Sequence, residues 1–260
     1  MLIVWGRKIV YRRKGYVADF CPICRAKRAF ELRRVGSAGH VYYISVGEGT
    51  LVGFQIKCLE CGTVYDANPD NYAAISRKLV PLDELTFTTF PNFNQVYRER
   101  LELEARIARE ASFLSAGERK TLIREPFLLL SPDVEQRLES FRIDLAGIFI
   151  MLVVVLLLAA AIERFLPDFS GLSFLILLGV GFVVVVWRML GYGRRFMRRQ
   201  IIPRLVRALK PLHPHENEIK AILADLKQLG HKIGRKLRVD DLMRELSRVS
   251  QDHAARHPRS

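Results

Sequence analysis

All four cysteines of the chain fall in two C-x-x-C pairs, "CPICR" at Cys21 to Arg25 and "CLECG" at Cys58 to Gly62. No other feature limits the fold as much. Thiols in this pattern pass electrons, form disulfides or hold a metal. A redox pair needs its C-x-x-C at the start of a helix that follows a strand. The residues around the first pair, "VADFCPICRAKRAFELRRV", read instead as strand, knuckle and strand. The start "MLIVWGRKIVYRRKGY" has no basic region ahead of its apolar residues, so no secretory leader is expected. A reducing compartment follows, and disulfides fit it poorly. Zinc needs four soft ligands in a tetrahedron, and each C-x-x-C turn can supply two thiolates to one ion. Pro22 and Gly62 suit tight knuckle turns. Cys21, Cys24, Cys58 and Cys61 are therefore expected to hold one structural Zn2+.

The 33 residues between the pairs read as a β-meander, "RAFELRRV", "HVYYISVG" and "TLVGFQIK", with "GSAG" and "GEG" as turns. A hairpin insert returns to its starting point, so its length does not separate the pairs. Four cysteines close the shell, whereas a catalytic ion keeps an open position. His40, the sole histidine before residue 200, reads as a strand residue. The metal is expected to serve folding, because a ribbon this small has little apolar core of its own.

The runs "VWGRK", "GYVADFCPICR", "HVYYISVGEGTLVGF" and "CLECGTVYDA" resemble the bacterial zinc-ribbon membrane proteins, over about residues 3–66. That family is largely without an assigned activity. The resemblance implies a structural zinc site in an N-terminal ribbon. Its members usually carry Gly after the first pair, where this chain has Arg25; the departure removes no ligand.

Two apolar runs, "LAGIFIMLVVVLLLAAAI" (Leu145 to Ile162) and "LSFLILLGVGFVVVVW" (Leu172 to Trp187), set the second expectation. A helix needs roughly 20 mostly apolar residues to cross a bilayer core. Spans at about 145–163 and 169–188 are expected, joined by the tight turn "ERFLPDFSG". Charge then sets orientation. Residues 192–260 hold 17 Lys/Arg against 7 Asp/Glu, whereas 144–191 hold 2 against 3. Arg188, Arg194, Arg195, Arg198 and Arg199 mark the cytoplasmic side, as a topology signal or as contacts to lipid head groups. An inner-membrane, two-span location with both termini cytoplasmic is the expected result.

The fold class expected is an α+β membrane protein. A β-rich zinc ribbon (1–68) precedes cytoplasmic helices (69–131), a two-helix transmembrane hairpin (132–191), a basic juxtamembrane segment (192–212), a C-terminal helical hairpin (213–250) and a flexible tail (251–260). Within it, Asn94 to Leu114 reads as a charged helix, and "SAGE" at Ser115 to Glu118 matches a capping box. Pro126 should end or kink that helix. Ser131 with Pro132 should open another, running to Glu163. "FLLL" at Phe127 to Leu130 reads as core first and partner contact second. Near the C-terminus, Ile219, Ile222, Leu223, Leu226 and Leu229 form one helical stripe, stopped by Gly230. The link to the next helix is too long for a DNA-reading helix-turn-helix. His213, His215 and His231 lack partners at ligand spacing.

No acid/base pair, activated nucleophile or phosphate loop stands out, so an enzyme is not expected. The leading expectation is a scaffold that displays ribbon and helices to a protein partner or a second copy. The alternatives are a membrane-anchored nucleic-acid-binding protein, its charge from Arg12 to Lys14 and from Arg33 and Arg34, or an accessory subunit of a transporter or membrane enzyme complex. No small-molecule substrate is indicated.

Overall fold

The computed structural model describes residues 5–41, 44–45, 47–110, 114–165, 179 and 192–256. The chain divides into two compact units, Met1–Ser115 with Arg207–His213, and Ala116–Val206 with Pro214–Ser260.

The first unit is built on an antiparallel sheet. Strand β1 (Trp5–Cys21) and strand β2 (Ala26–Val41) form one long hairpin whose register runs from Trp5 opposite Val41 to Cys21 opposite Ala26. β4 (Thr50–Cys58) lies on the other side of β2, and β5 (Val64–Asp66) lies beyond β4. The short β3 (Ile44–Ser45) pairs with the end of β2. Neither expected glycine turn reverses the chain: β3 and β4, on either side of "GEG", both pair antiparallel with β2, and "GSAG" continues β2. Its glycine serves an approach instead of a reversal. A Cβ on Gly36 would stand 2.2 Å from the Glu48 carbonyl oxygen, and the β2–β4 register slips between Val35 and Gly36. Glycine inside a strand often marks such a bulge or close approach.

Burial is concentrated at the cysteine end of the sheet. Val17, Ala18, Ile23, Phe30 and Leu32 are fully buried there. Helix α1 (Leu82–Thr89) packs on β1 and β2. It is followed by the single turn α2 (Phe93–Val96) and by α3 (Arg98–Glu110). The outer edge of β1 is closed from Tyr16 onward. Tyr16 and Ser76 exchange backbone hydrogen bonds of 2.7 and 3.0 Å, and the Ala18 N–H donates to Thr89 Oγ1 at 2.9 Å. Gly15 permits the crossing, since a Cβ there would lie 2.4 Å from the Ser76 oxygen. Asp19 is buried, and its carboxylate accepts from Tyr72 Oη and Tyr97 Oη, both at 2.6 Å. Burial, with the Asp19 charge beside them, holds both phenols well above their usual range.

The second unit is helical. Its main element, α4 (Ala116–Phe165), runs for 50 residues. Leu122, Ile123, Phe127, Leu130 and Val134 form a buried stripe along its first half. Against it pack the helices Glu216–Gln228 and Lys232–Lys236, and the helix Val239–Arg256 packs on Glu216–Gln228. The core reading of "FLLL" fits Phe127 and Leu130, both at 0 % exposure. Pro126 and Pro132 lie inside α4 and do not end it. Packing of the apolar stripe on both sides of Pro126 outweighs the lost backbone bond. Ser131, expected as a cap, is instead a buried mid-helix residue whose hydroxyl donates to Glu135 Oε1 at 3.1 Å. Ile219, Ile222, Leu223 and Leu226 are buried as expected, but Leu229 is exposed, because the helix has ended before it. Gly230 follows at φ +88, the left-handed stop expected there.

The expected transmembrane hairpin is overturned, and with it the α+β membrane class and the two-span inner-membrane location. Among the described residues, no helix is long and apolar enough to cross a membrane. The helix expected from Pro132 to Glu163 is continuous but starts earlier: Leu145–Ile162 is the later part of α4, whose earlier turns carry Arg119, Lys120, Arg124, Glu125, Asp133 and Glu135 and pack within their unit. The second expected span, 169–188, lies outside the described residues. The fold is α+β, an antiparallel sheet with helices.

Candidate metal centre

Strand register alone brings the two cysteine pairs together. Cys21 closes β1 and Ala26 opens β2, so Pro22 to Arg25 form the hairpin turn. Phe30 of β2 faces Cys58, the last residue of β4. Lys57 faces Val64 of β5, so Leu59 to Thr63 form the neighbouring turn. β2 lies between β1 and β4, and both turns therefore stand at one end of the sheet. Each is tied by its own backbone. The Cys24 N–H donates to Cys21 Sγ at 3.4 Å, the Gly62 N–H to the Cys58 carbonyl at 2.9 Å and the Cys58 N–H to the Thr63 carbonyl at 2.9 Å.

The ligand atoms of Cys21, Cys24, Cys58 and Cys61 all lie within 4.8 Å of one another, and this group could hold a metal ion. Cys21 Sγ is 3.6 Å from Cys61 Sγ, and Cys24 Sγ is 4.0 Å from Cys58 Sγ. A tetrahedron with metal–sulfur bonds of about 2.3 Å has edges of about 3.8 Å, between these two values. Cys21 and Cys58 are buried, and Cys24 and Cys61 are partly exposed.

Packed this closely, the thiols share protons. Cys21 is pushed far up, chiefly by its hydrogen bond with Cys24, with Cys58, Cys61 and burial adding to it. Cys58 is lowered by Cys21, yet Cys24, Cys61 and burial outweigh that and push it up. Cys24 is lowered to about 7, mainly by its bond with Cys21. Cys61 is pulled far down by bonds from Cys21, Cys24 and Cys58. A divalent ion replaces such shared protons when it binds, so uptake releases protons and weakens as pH falls. On the inner side Tyr65 closes the site, its hydroxyl 3.7 Å from Cys21 Sγ. Burial, then the Cys21 charge, pushes that phenol up.

The two knuckles share one backbone requirement. The residue after the second cysteine has a positive φ in both, +73° at Gly62 and +55° at Arg25. Glycine adopts this freely; for any other residue it costs roughly 1–2 kcal/mol. The Arg25 side chain is only 5 % exposed. Its Nε donates to Glu104 Oε2 of α3 at 2.7 Å, and its Nη1 to the Ala208 carbonyl at 3.3 Å. Glu104 also accepts from Arg100 Nε at 3.0 Å. Beside the other knuckle, Arg207 Nη1 lies 3.2 Å from Glu60 Oε1 and 3.8 Å from Cys24 Sγ. Sequence reasoning found the four cysteines but missed Glu104, Arg207 and the role of Arg25. The available signal was the arginine at a glycine position.

The remaining site candidates belong elsewhere. Arg188 lies outside the described residues. Arg194 and Arg195, in the helix Tyr192–Phe196, and Arg198 and Arg199, in the π-helical turn Met197–Ile201, are exposed. Arg198 is engaged, pairing with Asp241 at 2.9 Å. His231 Nδ1 lies 2.9 Å from Ser131 Oγ and 3.2 Å from Glu135 Oε1. The backbone N–H of His215 donates to Glu218 Oε2 at 2.7 Å, closing a capping box. Among the described residues, the four cysteines are the one cluster with the make-up of a metal site. Set against protein-family models, curated proteins and solved structures, the chain matches none.

Proposed function

We propose that the sheet unit is a zinc ribbon in which Cys21, Cys24, Cys58 and Cys61 hold one structural Zn2+, and that the chain acts as an interaction scaffold. The observation that carries the metal reading is the sulfur spacing, 3.6 and 4.0 Å across the two knuckles. Four thiolates suit zinc or iron, and a role in folding favours the redox-inert ion. When bound, zinc supplies a cross-link between the knuckles and no open position for a substrate. The scaffold reading draws support from the far end of the sheet. Ile9 and Tyr11 of β1 and Leu51 and Val52 of β4 are exposed there, which suits contact with another protein.

Elemental analysis of the purified full chain tests the metal. One zinc per chain is expected, and none in Cys24→Ser; iron, or zinc unchanged by the substitution, overturns the assignment. Crosslinking in cells tests the scaffold, with a reproducible neighbour or a second copy as the expected result. Failure to recover either argues against it.

A second reading, nucleic-acid binding, draws on the exposed Arg7, Lys8, Arg12, Arg13 and Lys14 along β1. It requires affinity that falls steeply with salt, and a flat salt dependence excludes it. The lipid-contact and accessory-subunit expectations rested on the two spans and are not carried forward.

A further inference from the structure

Arg25 stands where glycine would meet the backbone requirement without cost, so what it adds is its side chain. That side chain reaches two places remote in sequence, Glu104 on α3 and the carbonyl of Ala208, 183 positions away. The second knuckle reaches the same late segment, through the Glu60–Arg207 pair. Both metal-site turns thus grip Arg207–His213, the part of the chain that joins the first unit from beyond α4.

We propose that metal loading latches α3 and the segment 207–213 onto the ribbon through Arg25 and Arg207, so that gain or loss of the ion controls whether that segment is docked. The inference rests on the metal reading above. An ion bound by Cys21 and Cys24 fixes the first turn, and the turn fixes Arg25 at positive φ. When the turn relaxes, Arg25 returns to the negative φ that a side chain favours. Its guanidinium then leaves Glu104 and the Ala208 carbonyl. The latch is not over-determined, since Arg25 Nη2 is buried with no hydrogen-bond partner. Charge points the same way. Four thiolates around a dication leave two net negative charges, and the Arg207 guanidinium, 3.8 Å from Cys24 Sγ, complements a loaded site.

Hydrogen exchange on the full chain, followed by mass spectrometry, tests this. In the zinc-loaded protein, amides of 98–110 and 207–213 are expected to be protected, and chelation under reducing conditions should expose them together with the rest of the sheet unit. That result alone would also follow from general loosening of the ribbon. Arg25→Gly separates the two, because it suits the turn and deletes only the latch. Zinc-loaded Arg25→Gly should keep one zinc per chain and the protection of β1 and β2, yet exchange at 98–110 and 207–213 roughly ten- to hundredfold faster than the zinc-loaded wild type. Glu104→Gln, which leaves the knuckle sequence intact, should loosen the same two segments with zinc retained. Wild-type protection in both zinc-loaded variants overturns the latch, as does chelation that leaves both segments protected. A wild-type chain that binds no metal instead overturns the underlying site assignment, a separate result read by elemental analysis.

Discussion

In the sheet unit, Ile23, Phe30 and Leu32 lie at 0 % exposure beside the knuckles, while Ile9 and Tyr11, further along the same hairpin, stand 45 % and 50 % exposed. In the helical unit the buried positions instead recur along whole helices, Leu122 to Val134 on α4 and Ile219 to Leu226 on the helix facing it. One unit concentrates its apolar contacts at a single end and has a four-thiol cluster there. The other spreads them at three- and four-residue intervals and has no comparable cluster among its described residues. The difference teaches where a cross-link matters. A small sheet with a short core gains most from a metal, whereas a continuous helical stripe needs none.

The sharpest way to break this contrast is to disable the proposed metal site. Cys24→Ser, or chelation with a thiol reductant, should abolish the cooperative melting of the sheet unit and leave a separate helical transition, read by calorimetry and circular dichroism. Structural zinc contributes on the order of 10–16 kcal/mol in comparable peptides, the largest effect expected in this chain. A single transition unchanged by chelation would show that the two units do not differ in this way. The converse substitution is Phe127→Ala, in the stripe of α4. It should cost the helical unit about 3–5 kcal/mol in urea unfolding, with zinc content unaltered.

Smaller changes sharpen the picture inside each unit. Tyr72→Phe removes one of the two phenol donors to the buried Asp19 carboxylate. It should lower the stability of the sheet unit by about 1.5–3 kcal/mol, read from its denaturant midpoint. On the helical side, the Arg119 guanidinium holds the Glu218 carboxyl below the usual carboxylate range. A depressed folded-state value contributes stability that is present above the unfolded value and lost as pH falls through the folded one. Arg119→Met should therefore reduce stability at pH 6 by no more than about 1 kcal/mol and flatten the loss between pH 5 and pH 3. A melting temperature with the same acid slope in both proteins would exclude the pair as a contributor.

The four-cysteine cluster was legible in advance, because C-x-x-C is a local signal and the strands on either side carry β-forming residues. What supports it was not. Glu104 and Ala208 meet Arg25 only through tertiary folding, and no local pattern joins positions that far apart. Asp19 reads as an ordinary charge until Tyr72 and Tyr97 converge on it. "GSAG" has the composition of a turn, yet at Gly36 and Gly49 the small residues admit a loop that folds back on β2; a Cβ on Gly49 would stand 2.4 Å from the Ser37 oxygen. The membrane expectation is overturned on a different ground: among the described residues no helix is long and apolar enough to cross a membrane, and the helix that carries Leu145–Ile162 starts at Ala116 instead of Pro132.

The discontinuity of the sheet unit also has a consequence in time. Its last piece, Arg207–His213, follows Ser115 only after 91 intervening residues, 116–206. At roughly 5–20 residues per second, a ribosome takes about 5–18 s to cross that interval. During those seconds the cysteines, both knuckles and α3 already exist, but Ala208 and Arg207 do not. All four thiols are therefore in place before the final contacts are synthesised. On the metal reading proposed above, the order of translation makes ion binding an early folding step and the closing segment a late one.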